Sequence, residues 1–177
     1  MEHPRLGPQE LVYENDYQRI YRVVADFGSF SKEYYVNDFG ARAGLVVVRN
    51  DQVLLVRQYR LLINGISLEI PGGKVDDGEE PETAAIRECY EETGVMCERV
   101  TPLIHYHLGM DVTRNPTYVY YCNFVSSTAA ITHGHVNKET LGHVWVQVEK
   151  CIDRICQGKI LDSLTIVALL SYLALIR

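Results

Sequence analysis

The sequence predicts an α+β fold, in which strands gather on both sides of one amphipathic helix and further helices follow at the end. Three observations carry that prediction. Short segments rich in Val, Ile and Tyr, bounded by turn residues, recur between positions 17 and 148. A single stretch of helical character interrupts them at 81–93, and helical character returns from 149 onward. Neither an internal repeat nor a regular βαβ alternation is visible, so the order indicates separate strand and helix groupings.

Taken in order, residues 17–27 and 33–36 are rich in Tyr and Val with Gly28-Ser29 between them, and predict two antiparallel strands of a small N-terminal sheet. Segments 43–48 and 52–59 follow, and Asn50-Asp51 between them is a good hairpin turn. Residues 67–70 form a short strand leading into Pro71-Gly72-Gly73. The next element is a helix over Pro81–Thr93: Pro81 suits a first turn, Glu79, Glu80 and Glu82 suit the positive end of the dipole, and Gly94 suits a left-handed cap. Segments 100–107, 117–124 and 143–148 read as further strands. A helix over 149–157 ends at Gly158, and Asp162 or Ser163 caps a final helix. The apolar run 164–176 is 13 residues, too short to span a bilayer, and is expected to be a buried helix. This organisation divides the chain into an N-terminal β extension, 1–42, and a main domain, 43–177.

With 177 residues, 47% of them apolar, the chain can bury an ordinary single-domain core. A formal charge of −6 lacks the basic footprint of a DNA-binding or long-RNA-binding protein, whereas a small nucleotide remains compatible because a metal can neutralise its phosphates. Five cysteines, an odd number without CxxC spacing, imply neither a disulfide framework nor a zinc site, and fit a reducing cytoplasm. The opening Met1-Glu2-His3-Pro4 has no basic region followed by an apolar run, so no signal peptide is expected, nor a membrane partner.

The chemistry is concentrated in 73–95. On a helical wheel started at Glu88, Glu92 lies at about 40° and Glu91 at about −60°, so the three carboxylates share an arc of roughly 100°. Glu88 and Glu92 are a like-charge i,i+4 pair, costly by itself and relieved by a cation. Hard cations such as Mg²⁺ prefer such oxygens and keep waters or substrate phosphates as their remaining ligands, which points to phosphate chemistry.

The spacing resembles the Nudix box: Gly73, five residues, Glu79, seven residues, Arg87-Glu88, two residues, Glu91-Glu92, one residue, Gly94, then Val95. Seven fixed identities arise by chance at roughly one in 10⁸ starting positions. Cys89 stands where the family usually has a branched aliphatic, a mild departure because Cys packs as a small hydrophobe. The phrases Val56-Arg57-Gln58-Tyr59-Arg60, Leu68-Glu69-Ile70-Pro71-Gly72-Gly73 and Gly158-Lys159-Ile160-Leu161-Asp162-Ser163 extend the resemblance to the ADP-ribose and nucleoside-diphosphate-sugar pyrophosphatase branch.

The resemblance implies a Nudix fold, a mixed sheet sandwiched between helices. It also implies hydrolysis of a pyrophosphate bond with Mg²⁺, for which Mn²⁺ can substitute, and a homodimer whose N-terminal strands are exchanged. Glu88 and Glu92 are the expected metal ligands, Glu91 a third or water-mediated one, and the Gly72 carbonyl the main-chain ligand. Arg87 is expected to orient Glu91 and Glu79. Glu139, the sole carboxylate of the loop 132–142, is the candidate general base, ahead of His133 and His135. Arg60 matches the position that holds a substrate phosphate or ribose, while alternation puts Arg57 on the opposite strand face. Glu69 reads as a base or ribose contact or as a strand-end charge. Tyr21, Tyr34 and Tyr35 read as base-stacking or as packing residues. A Ser-Pro-Gly segment common in ADP-ribose pyrophosphatases is replaced here by 108–116, which contains Arg114, a candidate anion contact, and Asp111, an outside candidate ligand. Two other activities compete: pyrophosphate removal from a nucleoside triphosphate or an RNA 5′ end, and nucleotide sensing without cleavage.

Overall fold

The computed structural model describes residues 3–123 and 140–176, and divides them into two compact units. The first runs to Ala41 and takes in Tyr106–Pro116; the second comprises Arg42–His105 and, from Thr117 on, the described remainder.

The first unit is built on a hairpin of β3 (Arg19–Asp26) and β4 (Ser31–Asp38), preceded by β1 (Arg5–Leu6) and β2 (Glu10–Glu14). Both short strands pair antiparallel with β3. The hairpin turn is held by Gly28 at φ 83°, whose amide donates to Asp26 Oδ1 at 2.8 Å, and by Phe27 stacked on Phe30 at 4.6 Å. Val23 and Ala25 are the apolar side chains this sheet buries among its described residues, and every residue of β2 is exposed. The sequence expected two strands here; β1 and β2 are additions whose pairing comes from β3 rather than from their own composition.

The second unit carries a mixed sheet whose central strand is β5 (Arg42–Arg49). A type I′-like turn at Asn50 and Asp51, with φ 48° and 59°, leads to β6 (Gln52–Arg60), as the sequence predicts. Yet β5 and β6 pair only beside that turn, at Val48↔Val53 and Arg49↔Gln52. Beyond it they diverge, and each takes a new neighbour: β7 (Gly65–Glu69) runs antiparallel along β6, and β8 (Gly72–Lys74) along β5. The splay makes room for the glycine strand. After α1 (Pro81–Thr93) come β9 (Thr101–His107), β10 (Thr113–Arg114), β11 (Pro116–Asn123) and β12 (Thr140–Gln147). In the second unit β11 is parallel to β5 and β12 antiparallel to β6; β10 belongs to the first unit, parallel to β4.

Helices cover both faces of the second sheet. Ala84, Ala85 and Cys89 of α1 pack with Ala43, Leu45 and Val47, the inward set of β5. On the other face a Cβ at Gly44 would lie 3.2 Å from Leu164 of α3 (Ser163–Leu175), and α2 (Val148–Cys156) precedes it. Asp162 caps α3 as predicted, its Oδ2 accepting from Thr165 N at 2.8 Å. The expectation of a buried final helix needs correction. α3 is apolar all round, but it buries only Thr165, Ala168, Leu169 and Tyr172, while Leu170 and Leu175 are exposed, because it is an outer layer with one covered face. Among the described residues no helix is long and apolar enough to cross a membrane.

Thr165 joins α3 to the turn before the glycine strand. Its Oγ1 accepts from Ile70 N at 2.9 Å and donates to Asp162 Oδ2 at 2.7 Å, in a fully buried position. Thr165→Val keeps the shape and strands a buried N–H, so it should lower unfolding stability by about 1–3 kcal/mol in urea titrations, with Thr165→Ser recovering most of the loss.

Candidate active site

The site begins with α1 and the strand beneath it. The helix takes the predicted bounds: Pro81 occupies its first turn, and Gly94 at φ 70° closes it by donating from its amide to Tyr90 O at 2.8 Å. Ahead of it, Glu79 and Asp76 bond reciprocally, Glu79 N to Asp76 O at 3.0 Å and Asp76 N to Glu79 Oε2 at 3.1 Å.

Arg87 ties that loop to the helix. Its Nε and Nη2 fork the Glu79 carboxylate at 2.9 Å each, Nη2 also reaches Lys74 O at 3.1 Å, and Nη1 donates to Glu88 Oε1 at 2.8 Å and Glu91 Oε2 at 3.3 Å. The Glu79 fork is the chief reason that the Arg87 pKa is raised and that the Glu79 carboxyl lies below its ordinary range. Arg87 thus bonds Glu79 and Glu91, the residues it was expected to orient, and Glu88 is a third partner that the sequence did not suggest.

The two glycines explain how the carboxylates fit. A Cβ on Gly72 would lie 2.5 Å from Ala43 O, and one on Gly73 would overlap the Glu88 carboxylate itself. Only a bare backbone leaves room for both the β5 ladder and the helix side chain. Gly72 N donates to Glu92 Oε2 at 3.0 Å, so Glu92 is fastened to the strand from above. Burial pushes the Glu92 carboxyl up to about 7, against that amide bond, with the Glu88 and Glu69 charges adding to the rise. Burial also raises Glu88, although Arg87 opposes it. Two half-buried carboxylates that resist ionising together are a donor set suited to a divalent cation. Among the described residues no three Asp, Glu, His or Cys side chains already close around one point, so carbonyl, water or substrate oxygens would complete such a ligand shell.

A cavity of about 400 Å³ in the second unit is lined in part by Tyr59, Arg60, Ser67, Glu69, Leu161 and Asp162. Arg60 forks Glu69 across β6 and β7, Nε to Oε1 at 2.8 Å and Nη2 to Oε2 at 2.5 Å. The Glu69 charge adds to the rise of the Glu92 carboxyl, and the Arg60 charge opposes it. Arg57 is exposed and does not line this cavity. Arg114 lies in the first unit, where Nη1 donates to Asp38 at 2.9 Å, Nη2 donates to Gln9 at 3.1 Å, and the guanidinium stands over the Tyr21 ring. Glu139, His133 and His135 lie outside the described residues.

Sequence reading missed Arg42. It opens β5, its Nε is buried without a hydrogen-bond partner among the described residues, and its charge favours the ionised form of Glu88. The signal was there: a cation heads the otherwise apolar run 43–48.

A family model described as the NUDIX domain matches residues 38–163, well over half the chain. Methanol dehydrogenase activator of Bacillus methanolicus is 29% identical over 141 residues, 80% of this chain and 76% of that protein. ADP-ribose pyrophosphatase of Bacillus subtilis is 38% identical over 80 residues, 45% of this chain and less than half, 43%, of that protein. A CMP-5′-(N-acetyl-N-hydroxy-3-aminopropyl)phosphonate hydrolase of Streptomyces rubellomurinus is 26% identical over 148 residues, 84% of this chain and 70% of the other. A solved structure described as an ADP compounds hydrolase superposes with a TM-score of 0.81 at 16% identity, covering 98% of this chain and 94% of its own.

The Glu92 carboxyl predicts a pH dependence in metal-free protein. Its folded pKa, about 7, exceeds the ordinary 4.5, so the folded state holds the extra proton between those values and stability falls as pH rises through that window. Below pH 4.5 the cost is absent; above 7 it is complete. Glu92→Gln removes it and should gain about 3 kcal/mol on the wild type between pH 4.5 and pH 8.5 in denaturant unfolding with chelator. A pH-independent difference would mean that Glu92 titrates as an ordinary carboxyl.

Proposed function

This chain belongs to the NUDIX family of hydrolases, and from that premise we propose that it cleaves the pyrophosphate bond of a nucleoside diphosphate joined to a second moiety, ADP-ribose or a nucleoside-diphosphate sugar. The products are a nucleoside monophosphate and a sugar phosphate. One observation carries the reading: Glu88 and Glu92 are held together, half-buried, over a strand of bare glycine backbone. The names of two relatives, an ADP-ribose pyrophosphatase and a hydrolase of a CMP-linked phosphonate, support a nucleotide carrying a second group.

Glu88 and Glu92 would hold Mg²⁺, or Mn²⁺ in its place, with Glu91 and the Gly72 carbonyl as further ligands. When bound, the cation neutralises diphosphate oxygens and lowers the pKa of water. Arg87 keeps Glu88 and Glu91 aimed, since its fork on Glu79 leaves Nη1 fixed between them. Arg60 opens toward the cavity and offers its guanidinium to a phosphate or ribose oxygen, with Glu69 as its resting partner and as the acceptor for a sugar hydroxyl. Glu139 takes the proton of the attacking water.

The first unit's sheet buries few apolar side chains among the described residues and exposes Leu11, Tyr13 and Tyr35, which supports a homodimer formed through the N-terminal β extension, 1–42, with 43–177 as the hydrolase domain. The acidic charge and the lack of a membrane-crossing helix among the described residues accord with a cytoplasmic enzyme that uses neither DNA nor membrane as partner.

The test is hydrolysis of ADP-ribose, ADP-glucose, GDP-mannose, UDP-glucose, a diadenosine polyphosphate and dGTP, each with Mg²⁺ and with chelator. Chelator-sensitive release of a nucleoside monophosphate from ADP-ribose or a sugar nucleotide is expected. Glu92→Gln and Glu139→Gln should each lower kcat by about 10²–10⁴, the first by losing a ligand charge and the second by losing the base. Preferred turnover of dGTP would move the assignment to triphosphates, and tight binding without turnover to a sensor.

A further inference from the structure

The sequence shows no cysteine pairing, yet the fold makes one. Cys97 follows the glycine cap of α1, Cys122 sits on β11 opposite Val47 of β5, and their Sγ atoms are 2.8 Å apart in the core. That separation is about 0.8 Å more than the ~2.05 Å of a sulfur–sulfur bond. Both side chains are 5% exposed, and both belong to the apolar cluster beneath α1 that also holds Cys89. Cys89 also faces Cys97, but its Sγ in addition lies 3.8 Å from Thr93 Oγ1, and the 2.8 Å approach is the one between Cys97 and Cys122. Cys151 is also buried but on α2, and Cys156 is exposed.

We propose that Cys97 and Cys122 are an oxidisable dithiol that closes to an intramolecular disulfide on exposure to a peroxide-class oxidant. The sulfur of Cys97 attacks a peroxide oxygen; the S–O bond forms, the O–O bond breaks, and the departing hydroxide takes up the thiol proton as water. The Cys122 sulfur then attacks the sulfenic sulfur. The S–S bond forms as the S–O bond breaks, and the second hydroxide leaves as water with the Cys122 proton. Two thiols are oxidised by two electrons and one peroxide is reduced to two waters. Cys97 is the attacking sulfur because it lies in the segment after α1, next to exposed Met96, whereas Cys122 is in the middle of the sheet. The Cys122 thiol facing it favours the Cys97 thiolate and holds its own proton more tightly. The bond would pin the C-terminal end of the carboxylate-bearing helix to β11.

The test uses the reduced full chain, treated with a slight excess of hydrogen peroxide under native conditions. Titratable thiols in denaturant should fall from five to three, the non-reduced peptide map should join Cys97 to Cys122, and Tm should rise by about 5–15 °C, all reversed by dithiothreitol. Cys156→Ser should behave as the wild type, while Cys122→Ala and Cys97→Ala should each lose the two-thiol drop. The peptide map of the wild type decides the matter should either alanine variant fail to fold. A Cys89–Cys97 link, a Cys156-linked dimer, sulfinic acid on Cys97, or five surviving thiols would each overturn the proposal.

Discussion

Two glutamate carboxylates have to be held side by side and partly away from water, and most of the second unit is arranged around that demand. Glu88 and Glu92 occupy adjacent turns on one helix face, where like charges repel and burial penalises ionisation. Their support comes from fixed donors. Arg87 reaches Glu88 with one nitrogen while its other two grip Glu79, so its position does not depend on Glu88, and the Gly72 amide holds Glu92. Neither donor cancels the burial effect, since both carboxyls remain raised. The arrangement is incomplete in the chemical sense that a hard cation would complete.

The demand reaches into the sheet. A helix carboxylate can lie against a strand only where that strand has no side chains, and a glycine strand contributes nothing to a core. β8 therefore spans three residues and depends on the β5 edge from Arg42 to Gly44 for its pairing. That edge is free because β5 and β6 separate after two residue pairs. Divergence also lets β7 lie along β6, which brings Glu69 to Arg60 and forms the cavity they line. One departure from regular pairing supplies both the glycine strand under the carboxylates and the pocket along β6 and β7.

What could be read in the sequence was local. The bounds of α1, its glycine cap, the Asn50-Asp51 turn and the Asp162 cap each follow from a few contiguous residues whose chemistry admits few conformations. The three carboxylates were legible because helical spacing fixes their common face. Strand β8 was not, since glycine has no strand preference and its pairing is set by β5. The Arg60–Glu69 fork needs β6 and β7 in register, and the buried Nε of Arg42 depends on what packs around it; no window of sequence contains either fact. Cys97 and Cys122 are brought together through the α1 cap and the β5–β11 pairing, a relation that spacing rules for cysteines do not capture. The buried final helix was inferred from composition alone, and composition does not say how many layers will cover a helix.

α1 joins these features because two of its faces are engaged at once. Arg87, Glu88, Glu91 and Glu92 occupy the side toward β8, while Ala84, Ala85 and Cys89 press onto β5 and the cysteine cluster. A rotation of the helix that eased repulsion between Glu88 and Glu92 would lift alanines out of a close-packed core, where small displacements are costly. The core therefore holds the carboxylates in their unfavourable proximity. The C-terminal end of that helix is where Gly94, Val95 and Cys97 return the chain to the sheet, so anchoring there resists the rotation most directly. Packing on one face of the helix and electrostatic strain on the other are thus one mechanical system, in which the apolar contacts hold the acidic face ready for a cation.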